Sequence, residues 1–303
     1  MPDVLQTIGG SAFSGCTALT EFSMPTSLTT LGSYAFSGCA GITEFSLPEG
    51  ITSLGAYAFN GCTGMTEITL PESLTNMGRN VFNGTNITEI VIPANVTTMG
   101  DKDGYSSNHY HRSALCGANS LTKVVFAEGR TSLPFGALRY CTQVTDVELP
   151  EGLTSTSTYS FSQCTALTSI ELPSTVTTIG TYSFENCTGI SNITVPSSVQ
   201  TIGNYSFNGC SNMTVVTINA GNMFTTSKIE AENTNITSGN PKWASSNASG
   251  GYCVDYAYDL DFDVNVARAG TFQLSEYACY NNRSFKLYVD DVLVGTITPN
   301  GSN

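Results

Sequence analysis

The sequence predicts a mainly β protein, in which a solenoid of about nine 23-residue rungs is followed by a partial, jelly-roll-like β-sandwich. Two observations predict the solenoid: aromatic or leucine residues recur every 23 positions in two blocks, and prolines and cysteines keep the same step. A third predicts the sandwich, because the repeat fades after Ile218 and short β-rich runs then alternate with Gly and Asn turns. We expect a solenoid at 1–220 with an insertion at 101–112, a linker at 221–228 and the sandwich at 229–303.

A single rung shows how the repeat is expected to fold. Residues 167–172 alternate apolar and polar side chains and predict a short first strand, and residues 176–179 predict a second strand. One rung cannot bury its own apolar side, but rungs stacked at about 4.8 Å align equivalent side chains into interior columns. The largest predicted column contains Phe13, Phe36, Phe59, Phe82, Leu115, Leu138, Phe161, Phe184 and Phe207.

The repeated residues carry a family resemblance. The pattern Leu-x-x-Ile-x-Leu-Pro, then Ile-Gly-x-x-x-Phe and then Cys, found over 4–218, resembles the BspA-like leucine-rich repeats of bacterial surface proteins. The resemblance implies a leucine-rich-repeat solenoid, and it implies attachment to host proteins, other cells or polymers. Because one fold hosts many binding tasks, it does not name the partner.

Most of the cysteines follow the repeat, three residues after the Phe position. A small apolar side chain fits beneath the turn there, which predicts buried thiols. Thr85 and Ala118 fill this position in two rungs, which favours packing over disulfide bonding, although adjacent rungs are near enough for a disulfide. A disulfide between Cys253 and Cys279, in the second segment, is left open. The seven repeat cysteines are Cys16, Cys39, Cys62, Cys141, Cys164, Cys187 and Cys210.

An outward position of the first strand repeats as glutamate in four rungs. Carboxylates at rung spacing repel one another, and a bound cation or cationic ligand would relieve that repulsion. The alternative is a solvated face, because salt screens exposed charges at such distances. The column contains Glu21, Glu44, Glu67 and Glu89.

The insertion at 101–112 is the irregular feature of the solenoid. Loops on rigid scaffolds often carry binding residues, and Tyr105, His109 and Tyr110 combine aromatic and polar groups suited to sugar or protein contact. Two alternatives stay open: a loop without a role, and a metal site at His109 and His111.

The C-terminal segment predicts strands and carries a second resemblance. Its Ile-Glu-Ala-Glu start, its Ala-Ser-Gly-Gly-Tyr turn and its Leu-Tyr-Val-Asp run resemble family 6 and family 35 carbohydrate-binding modules. The predicted strands lie near 252–258, 262–266, 271–278, 285–289 and 293–297.

That resemblance implies calcium held partly by Glu230 and Glu232, and a glycan cleft that uses Tyr252 or Tyr256. Trp243, in the preceding polar loop, is a further ligand-binding candidate. An ordinary edge tyrosine of a sandwich is the alternative. The segment is shorter than such modules, so an open sheet edge also predicts self-association.

Charge and motifs limit the function. The net charge of −13 disfavours nucleic acid as a partner, and no apolar run reaches the roughly 18 residues of a membrane span. The sequence contains no Gly-x-Ser-x-Gly or His-Glu-x-x-His pattern, and Asp101, Asp103 and His109 form its only conceivable acid–base cluster.

We therefore expect a non-catalytic, extracellular or cell-surface binding protein, with a polysaccharide or a host or cell-surface protein as partner and calcium as the only cofactor. The alternative is an accessory binding portion of a larger secreted glycan-degrading enzyme. The first residues, 1–11, lack the basic and apolar regions of a secretory signal, so we expect a mature or excised part of a longer protein.

Overall fold

A computed structural model describes residues 4–100 and 112–218, together with the backbone of 262–264, 285–289 and 292–297. Across these residues the chain is all β and turn, without a helix, and its rungs stack into a solenoid of about nine turns. The strands are β1 Thr7–Ile8, β2 Thr30–Leu31, β3 Ser53–Leu54, β4 Asn76–Met77, β5 Glu89–Ile92, β6 Thr98–Met99, β7 Lys123–Phe126, β8 Asp146–Glu148, β9 Thr178–Ile179, β10 Asn192–Val195, β11 Thr201–Ile202, β12 Val215–Ile218, β13 Phe262–Val264, β14 Phe285–Val289 and β15 Val292–Ile297.

The second strands stack as predicted. The strands β1, β2, β3, β4 and β6 form a parallel sheet in that order, and Thr7 pairs with Thr30 and Ile8 with Leu31. β9 lies within the predicted strand at 176–179 and pairs with β11. Each of these strands is only two residues long, because the rung turns again at the glycine or equivalent residue that follows.

The first strands are less regular, and the prediction of a strand at 167–172 is wrong. Leu167 and Ile170 are buried as the alternation requires, but this segment makes no backbone ladder with its neighbours. The neighbouring rungs are instead held together on the turn side, where Phe161 N donates to Ser183 O at 2.8 Å. Ladders of first strands form where β5, β7 and β8 pair and where β10 pairs with β12.

The turn after each second strand carries the Phe position into the core. Phe36, Phe59 and Phe82 are buried, and the ring centroids of successive members lie 6.0 and 5.8 Å apart. Stacked rings of this kind remove large apolar surfaces from water, at about 25 cal/mol for each Å² buried. The predicted interior column therefore forms the centre of the hydrophobic core of the solenoid.

The cysteine column is confirmed as buried free thiols in six of its seven members. Five of the six thiols, all except that of Cys141, are positioned to donate to a carbonyl of the preceding rung, as Cys62 Sγ does to Phe36 O at 3.1 Å. Burial raises the pKa of Cys62 to about 12. Cys16 is exposed, contrary to the prediction, because it lies in the first rung of the described solenoid. Cys253 and Cys279 lie outside the described residues.

A glycine ends most second strands because neighbouring rungs meet there. A Cβ atom on Gly55 would lie 2.5 Å from the carbonyl carbon of Gly32, while Gly55 N donates to Leu31 O at 2.7 Å. No side chain fits between two backbones at this separation without moving one of them.

The three described C-terminal strands coincide with three of the predicted ones. β14 pairs in parallel with β12, so that Val215 opposes Lys286, and β14 and β15 form an antiparallel pair to which β13 adds. These strands continue a sheet that starts in the solenoid. The predicted linker and the predicted strands at 252–258 and 271–278 lie outside the described residues.

Candidate binding surface

One side of the rod presents the outward side chains of the first strands. The column of four glutamates is exposed, and strand pairing continues it in register from Glu89 to Lys123 and Asp146. Lys123 Nζ lies 2.7 Å from Glu148 Oε1 and 3.6 Å from Glu89 Oε1. No group of three or more His, Cys, Asp or Glu residues in the described solenoid is arranged to hold a metal. The column fits a solvated face.

The positive charges of the solenoid are concentrated at its centre, a signal that the sequence analysis missed. All six Lys and Arg residues of 4–218 lie between Arg79 and Arg139, as do both histidines of the chain. The rest of 4–218 contains ten acidic residues and no Lys or Arg. The sequence therefore encodes an acidic rod with a basic middle.

The backbone ladder of the rod is interrupted at the same place. We call this step, from residues 96–100 and 112–118 to residues 130–141, the central break; on its turn side Ser113 N still donates to Arg139 O at 3.3 Å. β6 pairs with β4, and Ser132 pairs with Ser155, but no backbone hydrogen bond joins 96–99 to 130–133. Pro134 stands where other rungs have the glycine whose amide bonds to the preceding rung, and proline has no N–H. The ladder of β5, β7 and β8 keeps the rod continuous across the step.

Arg130 bridges the central break from inside. It occupies the apolar position held by Ile51, Leu74 and Leu153 in other rungs, and it is 5% exposed. Its Nη2 donates to Pro93 O and Val96 O, both at 2.7 Å, across the missing ladder. In regular rungs the carbonyl equivalent to Val96 O accepts a hydroxyl from the next rung, as Ile51 O does from Ser73 Oγ at 2.7 Å, so the guanidinium takes the place of that donor. Burial lowers the pKa of Arg130.

Arg139 lies on the turn side of the central break and is surrounded by aromatic rings. Its guanidinium carbon is 4.1 Å from the ring centroid of Tyr159 and 5.3 Å from that of Tyr140. Phe135, which is 38% exposed, contacts Tyr159 edge-on with centroids 5.6 Å apart. Arg139 is 6% exposed, and its Nε has no hydrogen-bond acceptor. The rings stabilise the cation by cation–π attraction.

Stacked tyrosines run along the turn side on both sides of the break. Tyr34 and Tyr57 stack at 4.9 Å, with Arg79 over Tyr57 at 5.7 Å, and Tyr159 stacks on Tyr182 at 4.7 Å. Between the two stacks the same repeat position holds Asn80, Ser113 and Gly136. The row of rings therefore has a gap at the central break.

The floor of that gap contains a polar atom without a partner. Asn80 is 2% exposed, and its Nδ2 donates to Cys116 O at 2.7 Å, while its Oδ1 has no hydrogen-bond donor. Ser113, 1% exposed, donates its hydroxyl to Ala137 O. Cys116 is buried, and this burial raises its pKa, although Arg112 opposes the shift.

The insertion joins the rod at the central break, since it leaves the second strand after Gly100 and returns at Arg112. The candidate residues within it, Tyr105, His109 and Tyr110, lie outside the described residues. The C-terminal candidates also lie outside them, and both sets stay predictions. These C-terminal residues are Trp243, Tyr252 and Tyr256 for ligand binding and Glu230 and Glu232 for calcium.

Comparison with known proteins decides the family. The model of the BspA type leucine rich repeat region matches residues 1–108 and 108–237, in six copies. The chain belongs to this family. The resemblance of the repeats is thus confirmed, whereas the resemblance of the C-terminal segment to carbohydrate-binding modules has no such support. No curated protein matches the chain.

Several solved structures are similar to the BspA-type chain. A leucine-rich repeat protein from Bacteroides ovatus is 26% identical over 72% of each chain, with a TM-score of 0.45. A leucine rich cell surface protein from Faecalibacterium prausnitzii is 25% identical over 72% of this chain and 70% of that chain, with a TM-score of 0.35. The pneumococcal vaccine antigen PcpA is 19% identical over 71% and 60%, with a TM-score of 0.40. Among the described residues, no helix is long and apolar enough to cross a membrane.

Proposed function

We propose that this BspA-type protein is a non-catalytic extracellular binding protein that acts in adhesion, polysaccharide recognition or both at a bacterial cell surface. The observation that carries the proposal is the central break. Regular stacking is the source of stability in a solenoid, because each rung is held by its neighbours. In this rod the backbone ladder is interrupted at one step, and the Lys and Arg residues and the insertion lie at or near that step. These are features of a recognition site.

The chemistry at the break supports binding rather than catalysis. Arginine side chains stay charged at physiological pH, so Arg130 and Arg139 cannot exchange protons as a general acid or base would. Burial raises the pKa of Cys116, which keeps it as a thiol and a weak nucleophile at neutral pH. The available groups can hold a ligand through hydrogen bonds, charge and ring contact.

Two further parts of the chain belong to the proposal. Tyr105, His109 and Tyr110 of the insertion would contact the ligand beside the break. In the C-terminal segment, Trp243, Tyr252 and Tyr256 would form a second sugar contact, and Glu230 and Glu232 would help to hold calcium. Polysaccharide and cell-surface protein are both partners that this arrangement could serve.

The test measures retention of the full chain on immobilised polysaccharides and on extracellular host proteins. We expect retention on at least one of them, and a loss of at least tenfold in affinity when Tyr105, His109 and Tyr110 are all changed to Ser. The matched control is Glu49→Gln, an exposed surface change far along the chain from the break, which should leave affinity unchanged. Absence of retention on every surface, or turnover of a bound polysaccharide, would contradict the proposal.

A further inference from the structure

We infer that the central break binds the anionic group of an acidic polysaccharide, a carboxylate or sulfate on a sugar ring, with Arg139 as the charged contact and Phe135 as the ring contact. The inference rests on the proposed function and narrows its ligand to glycans that carry negative charge. Three independent features of the described residues support it.

The first feature is the charge distribution. All six Lys and Arg residues of 4–218 lie between Arg79 and Arg139, so this stretch attracts anions more strongly than the acidic remainder of the rod. The described salt bridges involve Lys123, which points to the sheet side. Because the two ends of the rod are acidic, they would repel a polyanion, and the polyanion would bind at the middle.

The second feature is the missing acceptor at Arg139. A buried guanidinium is normally paired with a carboxylate, yet no carboxylate of the described residues pairs with Arg139, and its Nε donates to nothing. Glu185, two rungs further along at the same repeat position, accepts a hydrogen bond from Ser162 Oγ at 2.9 Å. Arg130 Nε also lacks an acceptor, but the terminal nitrogens of Arg130 already donate to three carbonyls. The terminal nitrogens of Arg139 make no hydrogen bond within the described residues, so these two nitrogens are the groups that an external oxyanion would contact, and a planar guanidinium suits that contact.

The third feature is the aromatic surface beside the Arg139 guanidinium. Phe135 is a partly exposed ring at a position where the next two rungs have Thr158 and Thr181. Sugar rings present apolar C–H faces that pack on aromatic rings, and their hydroxyl groups hydrogen-bond to polar side chains such as tyrosine. An acidic peptide would satisfy the charge but would make no comparable use of a flat ring. A charged sugar uses both groups.

The test compares binding of the full chain to four soluble polymers: polygalacturonate, dextran sulfate, neutral dextran and polyglutamate. We expect one or both acidic polysaccharides to bind at least tenfold more tightly than dextran and polyglutamate, and to be released as salt concentration rises. Arg139→Gln and Phe135→Ala should each weaken this binding at least tenfold, and Arg139→Lys should weaken it less than Arg139→Gln.

Controls separate binding from folding. Lys123→Gln removes a positive charge from the sheet side and should change affinity less than twofold. Phe135→Ala changes a partly exposed side chain, so its thermal unfolding should match that of the unchanged protein even if Arg139→Gln unfolds earlier.

The outcomes distinguish this inference from the proposed function. Dextran or polyglutamate binding as tightly as the acidic polysaccharides would overturn the inference alone, and so would unchanged affinity in a folded Phe135→Ala and Arg139→Gln pair. If the unchanged chain binds no polysaccharide and no protein, the proposed function is overturned. Preference for polygalacturonate or for dextran sulfate would support the inference and identify the anion as carboxylate or sulfate.

Discussion

The glycine at the end of a second strand allows a direct test of rung stacking, with Gly55→Ala as the perturbation. The added Cβ would lie 2.5 Å from the carbonyl carbon of Gly32 and would also contact Ser33 N, so the backbone of one rung must move. Gly9 provides the matched control, because it ends β1 in the same way and an added Cβ there meets nothing within 4 Å.

The expected magnitudes have opposite signs. Forcing an extra carbon into a packed interior costs about 1–3 kcal/mol, and this is the expected loss for Gly55→Ala. At an unobstructed site, replacing glycine by alanine stabilises by about 0.4–1 kcal/mol, because the unfolded chain loses freedom, and this is the expected gain for Gly9→Ala.

Thermal unfolding followed by circular dichroism is the assay. For a domain of this size, 1 kcal/mol corresponds to about 2–4 °C in Tm, so Gly55→Ala should unfold several degrees below Gly9→Ala. Hydrogen exchange should also be faster at the Gly55 amide, whose bond to Leu31 O lies at the perturbed step. Equal Tm values for the two variants would refute the reasoning that backbone contact between rungs requires glycine.

Two further predictions follow from the described structure, and a third follows from the resemblance of the C-terminal segment to carbohydrate-binding modules. Alkylation of the folded protein, mapped by mass spectrometry, should modify Cys16 quickly and Cys164 only after unfolding, since burial raises the Cys164 pKa and removes access; equal rates would contradict the packing. Arg130→Met should lower the free energy of unfolding by about 1–3 kcal/mol in denaturant titration, because Val96 O loses its charged donor; an unchanged value would mean that water replaces the guanidinium. Calcium should raise the Tm of the unchanged chain but not of a Glu230→Gln, Glu232→Gln variant; an equal rise in both would remove these residues as ligands.

Alkaline conditions should destabilise the solenoid through the same thiols. The folded-state pKa of Cys62 is raised to about 12 from an ordinary value of 9.0, so the protonated thiol contributes stability that is fully present below pH 9 and lost as pH rises toward 12. The Tm should therefore fall over this range, and Cys62→Ala should reduce the fall. The same slope in both proteins would assign it to other groups.

The interior was predictable because stacking repeats the same environment. Phe59 is buried for the reason that Phe36 and Phe82 are, and a 23-residue step is enough to place all three in one column. Backbone pairing was less predictable. The segment 167–172 has the alternation of a strand, but pairing also requires the neighbouring backbones to lie at ladder distance, and alternation carries no information on that distance.

The candidate site was predictable only in part. The insertion lies at the step of the rod where the ladder opens, and the clustering of Lys and Arg between 79 and 139 was present in the sequence as a second signal. The role of Arg139 was not predictable, because it depends on Tyr159, 20 residues further along the chain, and on the lack of a paired carboxylate among the described residues.

The sequence by itself determined the repeat, the interior columns, the buried thiols and the family, since each of these follows from residue spacing along a chain that stacks on itself. The tertiary structure decided which columns of backbone pair, where the ladder opens and what Arg130 and Arg139 contact. The physical reason is that a solenoid transmits each local irregularity to its neighbours: a proline without an N–H removes a bond from the adjacent rung, and only the folded rod shows which groups then fill the space.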